Sequence, residues 1–596
     1  MQKIKKILHT FSEWRLRHIS NRNFLLILSV FVGVLAGLAS VILKLSAHEI
    51  ETFLDFIGRK NYPYIFFLLP LIGILLTVLY VQIFRKGKIG RGISSILFAI
   101  HKKSSRIEKD KLYSHIISSA ITVGFGGSVG LEAPIVVTGA AIGSNTSKAF
   151  GLHYKERTLL LACGAAAGIG AVFNCPIAGV LFAVEVLLSE FSIPSFIPLL
   201  MASATASVVS QLLYQSKLFY LVTDSWDLKA IPFYVLLGLI TGILSVYVTR
   251  MMRYTEEFFK SKKHPYRKVL TGGILLSVLI FLFPPLYGEG YKIVEMLLEG
   301  KFHQILDNTF FAGSNNEWLM VIVAALIVLV KPIATSLTLG GGGNGGIFAP
   351  SLFLGAVFGF AFAHTVNMLG IYHLTEANFI VVAMAGILSG VIHIPLTAIF
   401  LIAEITGGYI LLVPLMIVSA ISYFIIRYFE PYSFYMKQLA RKGHLPTNDK
   451  DKLVLNRMHI DELVEKDFVS VPVEASLGEL VHVIAHSKRN IFPVLSEDGR
   501  LAGVILLDNV REQMFQTEKY DQIFVKDLMF QPPASIDVKE KMFSVMHKFE
   551  EFNSWNLPVL DDTKYIGFVS KSAVFTKYRE LLLKQAKRAE QSNLTL

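Results

Sequence analysis

Long apolar stretches separated by short polar ones run from near the N-terminus to about residue 440. They lie near residues 24–46, 64–84, 157–189, 195–214, 232–250, 269–285, 318–339, 346–370, 377–405 and 409–428. Most are long enough to span, or nearly span, a bilayer as helices. Several are too long for one span or are cut by Gly and Pro, so the pattern predicts helices broken inside the membrane. Beyond residue 440 the pattern changes sharply: RKGHLPTNDKDK is polar, and only short strand- and helix-length patterns follow. The chain therefore divides into a polytopic membrane region and a C-terminal cytoplasmic domain.

Within the apolar region two glycine-rich stretches share one skeleton, GGSVGLEAP from Gly126 to Pro134 and GGNGGIFAP from Gly342 to Pro350. One constant step carries Gly126, Gly127, Gly130, Ala133 and Pro134 onto Gly342, Gly343, Gly346, Ala349 and Pro350. A second echo follows each copy, since Pro176 and Glu185 match Pro395 and Glu404. Two related halves are the natural reading, and broken helices at matching positions point to a transporter-type site near the bilayer midplane. Backbone in hydrocarbon leaves the helix only where it is buried in protein or lines a watery cavity. A proline just inside the following apolar run suits the first turn of a new helix. The free amides there, with the positive end of the helix dipole, favour an anion. The competing reading is helix packing through small residues; two in-register copies with matched downstream Pro and Glu favour a site.

Composition narrows the class. The chain has 596 residues and is 53% hydrophobic and 17% charged, with mean hydropathy +0.53, far more apolar than a soluble globular protein. The formal net charge is +12, but Lys and Arg cluster beside the spans, as in HKKSSRIEKDK and KSKKHPYRK, which reads as positive-inside bias and not as a nucleic-acid surface. The basic start leads into a span too long for a signal-peptide core, so residues 1–22 read as a cytoplasmic N-terminal segment. Cys163 and Cys175 are the two cysteines, and they support neither a disulfide scaffold nor a thiolate metal site. The glycine run at 340–346 lacks the Lys-Ser/Thr of a phosphate loop, so no enzyme and no cofactor are expected. His393 reads as a packing residue.

The stretches around both motifs, over roughly residues 25–440, resemble the CLC family of chloride channels and chloride/proton antiporters. GLEAP at 130–134, GGIFAP at 345–350, GRGIS at 90–94 and the run from Gly164 to Glu185 carry the resemblance. In the tail, FPVLSEDGRLAGVILLDNVRE and LPVLDDTKYIGFVSKSAVFTK share a Pro-Val-Leu strand, an acidic turn and a Gly-led strand, and resemble a tandem pair of CBS domains. The implied fold is an all-α polytopic membrane protein with two inverted-topology repeats and broken helices, plus an α+β CBS pair. The expected boundaries are 23–440 for the transport domain, 441–464 for a linker, 465–515 and 525–585 for the two CBS domains, and 586–596 for a tail.

By that resemblance Glu132 is the gate, a carboxylate that fills an anion site until protonated or displaced. A carboxylate in a membrane span costs about 2.5–3.5 kcal/mol on insertion scales, so its presence asks for a function or a partner. The amides of Ile347 and Phe348 would hold the central anion without a full charge, letting it leave again. Tyr435 falls where the family places an anion-binding tyrosine, with Tyr432 the nearby competitor. The family's first motif commonly offers a serine, where this chain has Arg91 between Gly90 and Gly92. Arg91 and Gly92 are thus the inner-mouth candidates, and a fixed charge there would slow release. Val186 stands where the family's antiporters often carry an internal proton glutamate. Glu185 and Glu404, recurring in both halves, read as structural.

The expected function is gated chloride transport across a membrane by a homodimer with both termini cytoplasmic. Val186 favours a passive channel, and chloride/proton antiport is the alternative. The CBS pair reads as a structural or dimer-forming tail. Nucleotide-binding members follow the Gly-led strand with Ser or Thr and then Asp, whereas this chain has Leu506 and Asn509 in one unit and Ser570 and Ala573 in the other. Loss of both ribose-reading carboxylates argues against an adenine nucleotide there.

Overall fold

The structure is a computed structural model. It describes residues 18–61, 67–87, 92–188, 193–214, 225–262, 264–306, 309–314, 316–440, 455 and 458–594. The chain forms two compact units, Met1–Pro446 and Thr447–Leu596. Arg91 and Gly90 lie outside the described residues.

In the first unit eight helices among the described residues are long and apolar enough to cross a membrane. The interruptions fall where Gly and Pro cut the apolar pattern. The run 157–189 becomes a helix at Tyr154–Phe173, a short one at Pro176–Phe182 and a single π turn at Ala183–Leu187. The run 377–405 becomes Glu376–Ile392 and Pro395–Ile405. Each pair breaks in the same way. Asn174 (φ 57°) and His393 (φ 64°) adopt left-handed backbone that ends one helix, and Pro176 and Pro395 open the next. His393 is therefore a helix terminator as well as a packing residue, the counterpart of Asn174.

The two halves hold each other through equivalent residues. Gly130 and Gly346 pair in an antiparallel bridge, with Gly130 N–H donating to the Gly346 carbonyl at 3.0 Å and the reverse bond at 2.7 Å. Equivalent positions paired antiparallel run in opposite directions, as inverted repeats require. The close approach excludes side chains: a Cβ on Gly130 would lie 2.7 Å from Ala349 Cβ, and one on Gly346 would lie 3.0 Å from Ala133 Cβ.

The downstream carboxylates cross over in the same reciprocal manner. Glu404 accepts from the amides of Ile177 (3.0 Å) and Ala178 (2.8 Å), the first turn of the Pro176 helix. Glu185 accepts from the amides of Leu396 (3.0 Å) and Thr397 (2.8 Å) in the Pro395 helix, and from the Thr397 hydroxyl (2.6 Å). Each glutamate thus satisfies orphan amides of the other half while meeting the positive end of a helix. Glu404→Ala should destabilise the membrane unit by about 1–2 kcal/mol, read as a lower unfolding temperature in detergent, with Glu404→Gln milder because one oxygen remains. An unchanged unfolding temperature in E404A would remove the cap from the energetics.

Within each half a small-residue seam brings the motif helix onto the next long helix. Gly139 and Gly143 of the helix Glu132–Ala149 face the backbone of Gly164 and Leu160. Their counterparts Gly355 and Gly359, in the helix Phe348–Met368, face Met384 and Phe379. Contacts this close leave no room for a β-carbon and draw on packing, not on burial from water.

The second unit contains two three-stranded sheets of the same design, β1 (Val471–Pro472), β2 (Ile491–Leu495) and β3 (Leu501–Leu506), then β4 (Ile536–Asp537), β5 (Asn556–Asp561) and β6 (Lys564–Ser570). The first pair in each is parallel and the second antiparallel, with a register shift at Val494/Leu495 and again at Val559/Leu560. The repeat thus extends to the position of the bulge. The expected linker is shorter than read from sequence: Leu455, Met458, Ile460 and Leu463 are buried in the core around β5 and β6, because these apolar side chains fit that sheet's face. The closing helix runs Lys571–Leu594, through the expected domain end into the tail.

Candidate functional site

The antiparallel Gly130–Gly346 bridge fixes where the next residues go. Leu131 caps the helix that begins at Glu132, and Ile347 caps the helix that begins at Phe348. Both helix N-termini are therefore held together inside the protein, and the first amides of each lack intrahelical partners.

Glu132 is buried between them. Its Oε1 accepts from the Tyr291 hydroxyl at 2.6 Å. Its Oε2 has no hydrogen-bond partner, and a Cβ on Gly130 would lie 2.0 Å from it. The carboxylate also faces the Ala349 amide of the other helix. A negative group is thus placed where the dipoles of two helices favour one.

On one side of this point lies a cavity of 290 Å³, lined by Gly92, Ser94, Ala133, Gly346, Ile347 and Tyr435 among others. Gly92, with φ 41°, opens the helix Gly92–Lys102. The Ser94 hydroxyl donates to the Tyr435 carbonyl at 3.1 Å and so ties the two segments together. The Tyr435 hydroxyl is buried without a partner, a donor left unspent beside neutral amides. Tyr432, the competitor, is 44% exposed and does not line this cavity. The structure therefore brings Gly92, Ile347 and Tyr435 to one space, while Glu132 and Phe348 adjoin its lining residues Ala133 and Ile347 without lining it. Val186 sits in the π turn, packed against the core and away from this cavity. Arg91 precedes Gly92, outside the described residues.

Three residues around Glu132 escaped the sequence reading. Tyr291 holds the carboxylate, Glu289 accepts from the Leu131 amide at 3.0 Å, and Lys331 is fully buried with its ammonium on the Leu286 and Gly288 carbonyls at 3.3 and 3.1 Å. The signal that could have found them is an ionisable residue in apolar sequence, which is a site candidate by default. Lys331 interrupts the apolar run 318–339, and YGEGYK follows the run ending at 285.

In the second unit a cleft of 620 Å³ is lined by Glu465, Arg489, Trp555, Ser570, Ala573 and Lys577 among others. Its charged groups are largely paired with one another. Ser570 donates to Glu465 at 2.5 Å, Arg489 pairs with Glu465 and Asp467, and Lys577 pairs with Glu462 at 2.8 Å. Hydrogen bonding to Asp467 and Glu465 holds the Arg489 guanidinium above its ordinary pKa.

Comparison with known proteins gives the family and the fold. The voltage-gated chloride channel family model matches residues 72–427, and the CBS domain model matches 460–515 and 525–580. The H(+)/Cl(-) exchange transporter ClcA of Vibrio vulnificus is 28% identical over 429 residues, covering 68% of this chain and 86% of that protein. The chloride channel protein CLC-e of Arabidopsis thaliana is 31% identical over 326 residues, covering 50% of this chain and 44% of that protein. Among solved structures, a slow cyanobacterial Cl⁻/H⁺ antiporter superposes with a TM-score of 0.61 at 21% identity, over 71% of this chain and 98% of that one. A eukaryotic CLC transporter superposes with a TM-score of 0.59 at 19% identity, over 93% and 99%. With the family model spanning most of the membrane unit and the two motif breaks meeting at one buried point, this chain belongs to the CLC family, the voltage-gated chloride channel family of anion-transporting membrane proteins.

Proposed function

We propose that this protein exchanges chloride for protons, with Glu132 filling the anion site when ionised and carrying a proton when it leaves. The observation that carries the reading is the Glu132 carboxylate between two helix N-termini, held on one oxygen by Tyr291 and free on the other. An ionised carboxylate competes with a halide for the same amides, so protonation and anion entry are linked at one point. Amides of Ile347 and Phe348 and the Tyr435 hydroxyl supply neutral donors, which bind an anion without trapping it. The exchange-transporter name of the Vibrio relative and the antiporter fold neighbour support the coupled form. We take the working unit to be a homodimer with one path in each subunit.

A passive, gated channel is the second reading, and Val186 is the observation that favours it, because valine cannot carry a proton. Reversal potentials of purified protein in liposomes separate the two. A shift with a pH gradient at fixed chloride is the expected result; a potential that follows the chloride gradient alone would leave the passive channel standing and remove exchange. The pairing of Ser570, Arg489 and Lys577 with acidic residues in the CBS cleft supports an assembly or structural role for the tail over adenine-nucleotide binding.

A further inference from the structure

The segment 286–291 docks on the glycine-rich motif at four points. The Gly288 amide donates to the Gly126 carbonyl at 3.0 Å, and the Ser128 hydroxyl donates to the Leu286 carbonyl at 2.8 Å. The Leu131 amide donates to Glu289, and the Tyr291 hydroxyl donates to Glu132. From the other side Lys331 clamps the Leu286 and Gly288 carbonyls while its ammonium rests 4.6 Å from the centre of the Phe353 ring. Gly288 (φ 65°) and Gly290 (φ 92°) flank Glu289 in left-handed backbone, and a Cβ on Gly290 would strike the Phe353 ring at 2.4 Å. Glu289 is thus aimed by a pinned loop, not carried on a free one.

We infer that Glu289 is a second carboxylate gate, which occupies an amide of the Glu132 helix N-terminus and must be protonated or displaced, together with Glu132, before an anion passes. Two observations converge on it. The Leu131 amide that Glu289 occupies adjoins the gate residue, so its carboxylate already stands where an anion leaving that helix end would bind. Beside it, the fully buried Glu132 carboxylate leaves Oε2 without a partner, an acceptor left for a proton at the same helix end. Glu289 is half-buried and does not line the 290 Å³ cavity.

Every charged group packed around Glu289 bears on its charge. Glu132 acts from the motif helix, Lys44 and Glu51 from the helix Asn21–Asn61, Lys331 from the helix Glu317–Gly341, and Tyr291 from the helix Tyr291–Leu298. Glu51 is itself paired with Lys292 at 2.6 Å, and Lys44 is anchored on the Ala171 carbonyl at 3.0 Å. Lys331 and Lys44 are therefore the basic groups left facing the two carboxylates, and carboxylates that interact this way share their protons as a pair.

This inference rests on the reading of Glu132 as the gate, and chloride flux from liposomes over a symmetric pH series tests both. Glu289→Gln keeps an oxygen for the Leu131 amide but cannot ionise, so a mere helix cap would leave its pH profile at wild type. The expected result is a wild-type profile set by two linked protons, a shallower one-proton profile with a shifted midpoint in E289Q, residual pH dependence in E132A, and a flat profile in the double variant. A wild-type slope and midpoint in E289Q, or a flat profile in E132A alone, would overturn the second gate while leaving the first. Full wild-type pH dependence in E132A would overturn the Glu132 gate and this inference with it. The E132A arm leaves Glu289 intact and decides the question even where E289Q fails to assemble.

Discussion

Glu132→Gln should stop proton movement while chloride continues to flow. The side chain keeps its size and can still receive the Tyr291 hydroxyl on its carbonyl oxygen, so the packing around Gly130 and Gly346 is retained. What it loses is the negative charge that competes for the helix amides and the proton that a carboxylate exchanges. With the competitor gone, an anion meets neutral donors at Ile347, Phe348 and Tyr435. Proton flux driven by a chloride gradient should fall by roughly 100-fold or more, the range set by removing an acid–base group from its task. Chloride flux should persist with a shallower pH dependence. Paired chloride and proton electrodes on one liposome preparation read both quantities. Proton flux at the wild-type rate in E132Q, or chloride flux with unchanged pH dependence, would remove Glu132 from the gate.

The parts of this architecture that were legible in the sequence are those written locally. The glycine skeletons, the prolines that restart helices and the matched glutamates sit within short windows, and periodicity with turn chemistry is enough to read them. The Pro176 and Pro395 restarts and the breaks at Asn174 and His393 follow the same logic. What the sequence does not write is which half touches which. That Glu185 caps the Pro395 helix and Glu404 caps the Pro176 helix is a long-range crossing, although the symmetry had already marked both as structural. Tyr291 and Glu289 were missed for the same reason: their loop returns to the gate from far along the chain. Leu455, Met458, Ile460 and Leu463 read as linker because four spaced apolar side chains look unremarkable until a sheet face receives them.

The two halves share a skeleton but not a chemistry, and that difference locates function. Where the first half places Glu132, the second places Phe348, whose ring packs 5.3 Å from Phe173. The same helix start thus supplies a titratable group once and a neutral amide site once. Around this asymmetric centre the caps and the small-residue seams stay symmetric. Rigidity is common to both halves, and of the two helix starts only the first carries a titratable side chain.

That rigid seam yields the second large effect, on assembly. Gly164→Val should abolish the folded membrane unit. A Cβ at position 164 would lie 1.9 Å from the Gly139 carbonyl oxygen and 2.6 Å from its carbon, far inside the ~3.5 Å of an ordinary contact. Both atoms belong to helix backbone, so no rotamer change relieves the clash and the two helices must separate. The Glu132 helix is one of that pair, and moving it breaks the Gly130–Gly346 bridge and the gate geometry together. Overpacking of this kind costs at least about 1–3 kcal/mol, and here it also sacrifices the contacts that replace a hydrophobic drive in lipid. Gly164→Ala should show a smaller loss than Gly164→Val, since one methyl demands less separation. Gly151→Asn serves as the control: its added Cβ would meet nothing within 4 Å, and φ 65° is backbone that Asn tolerates. The yield of monodisperse protein in detergent and its unfolding temperature measure the series. Wild-type yield and unfolding temperature in G164V would show that the two helices can part without cost, and the seam would then not be what positions the gate.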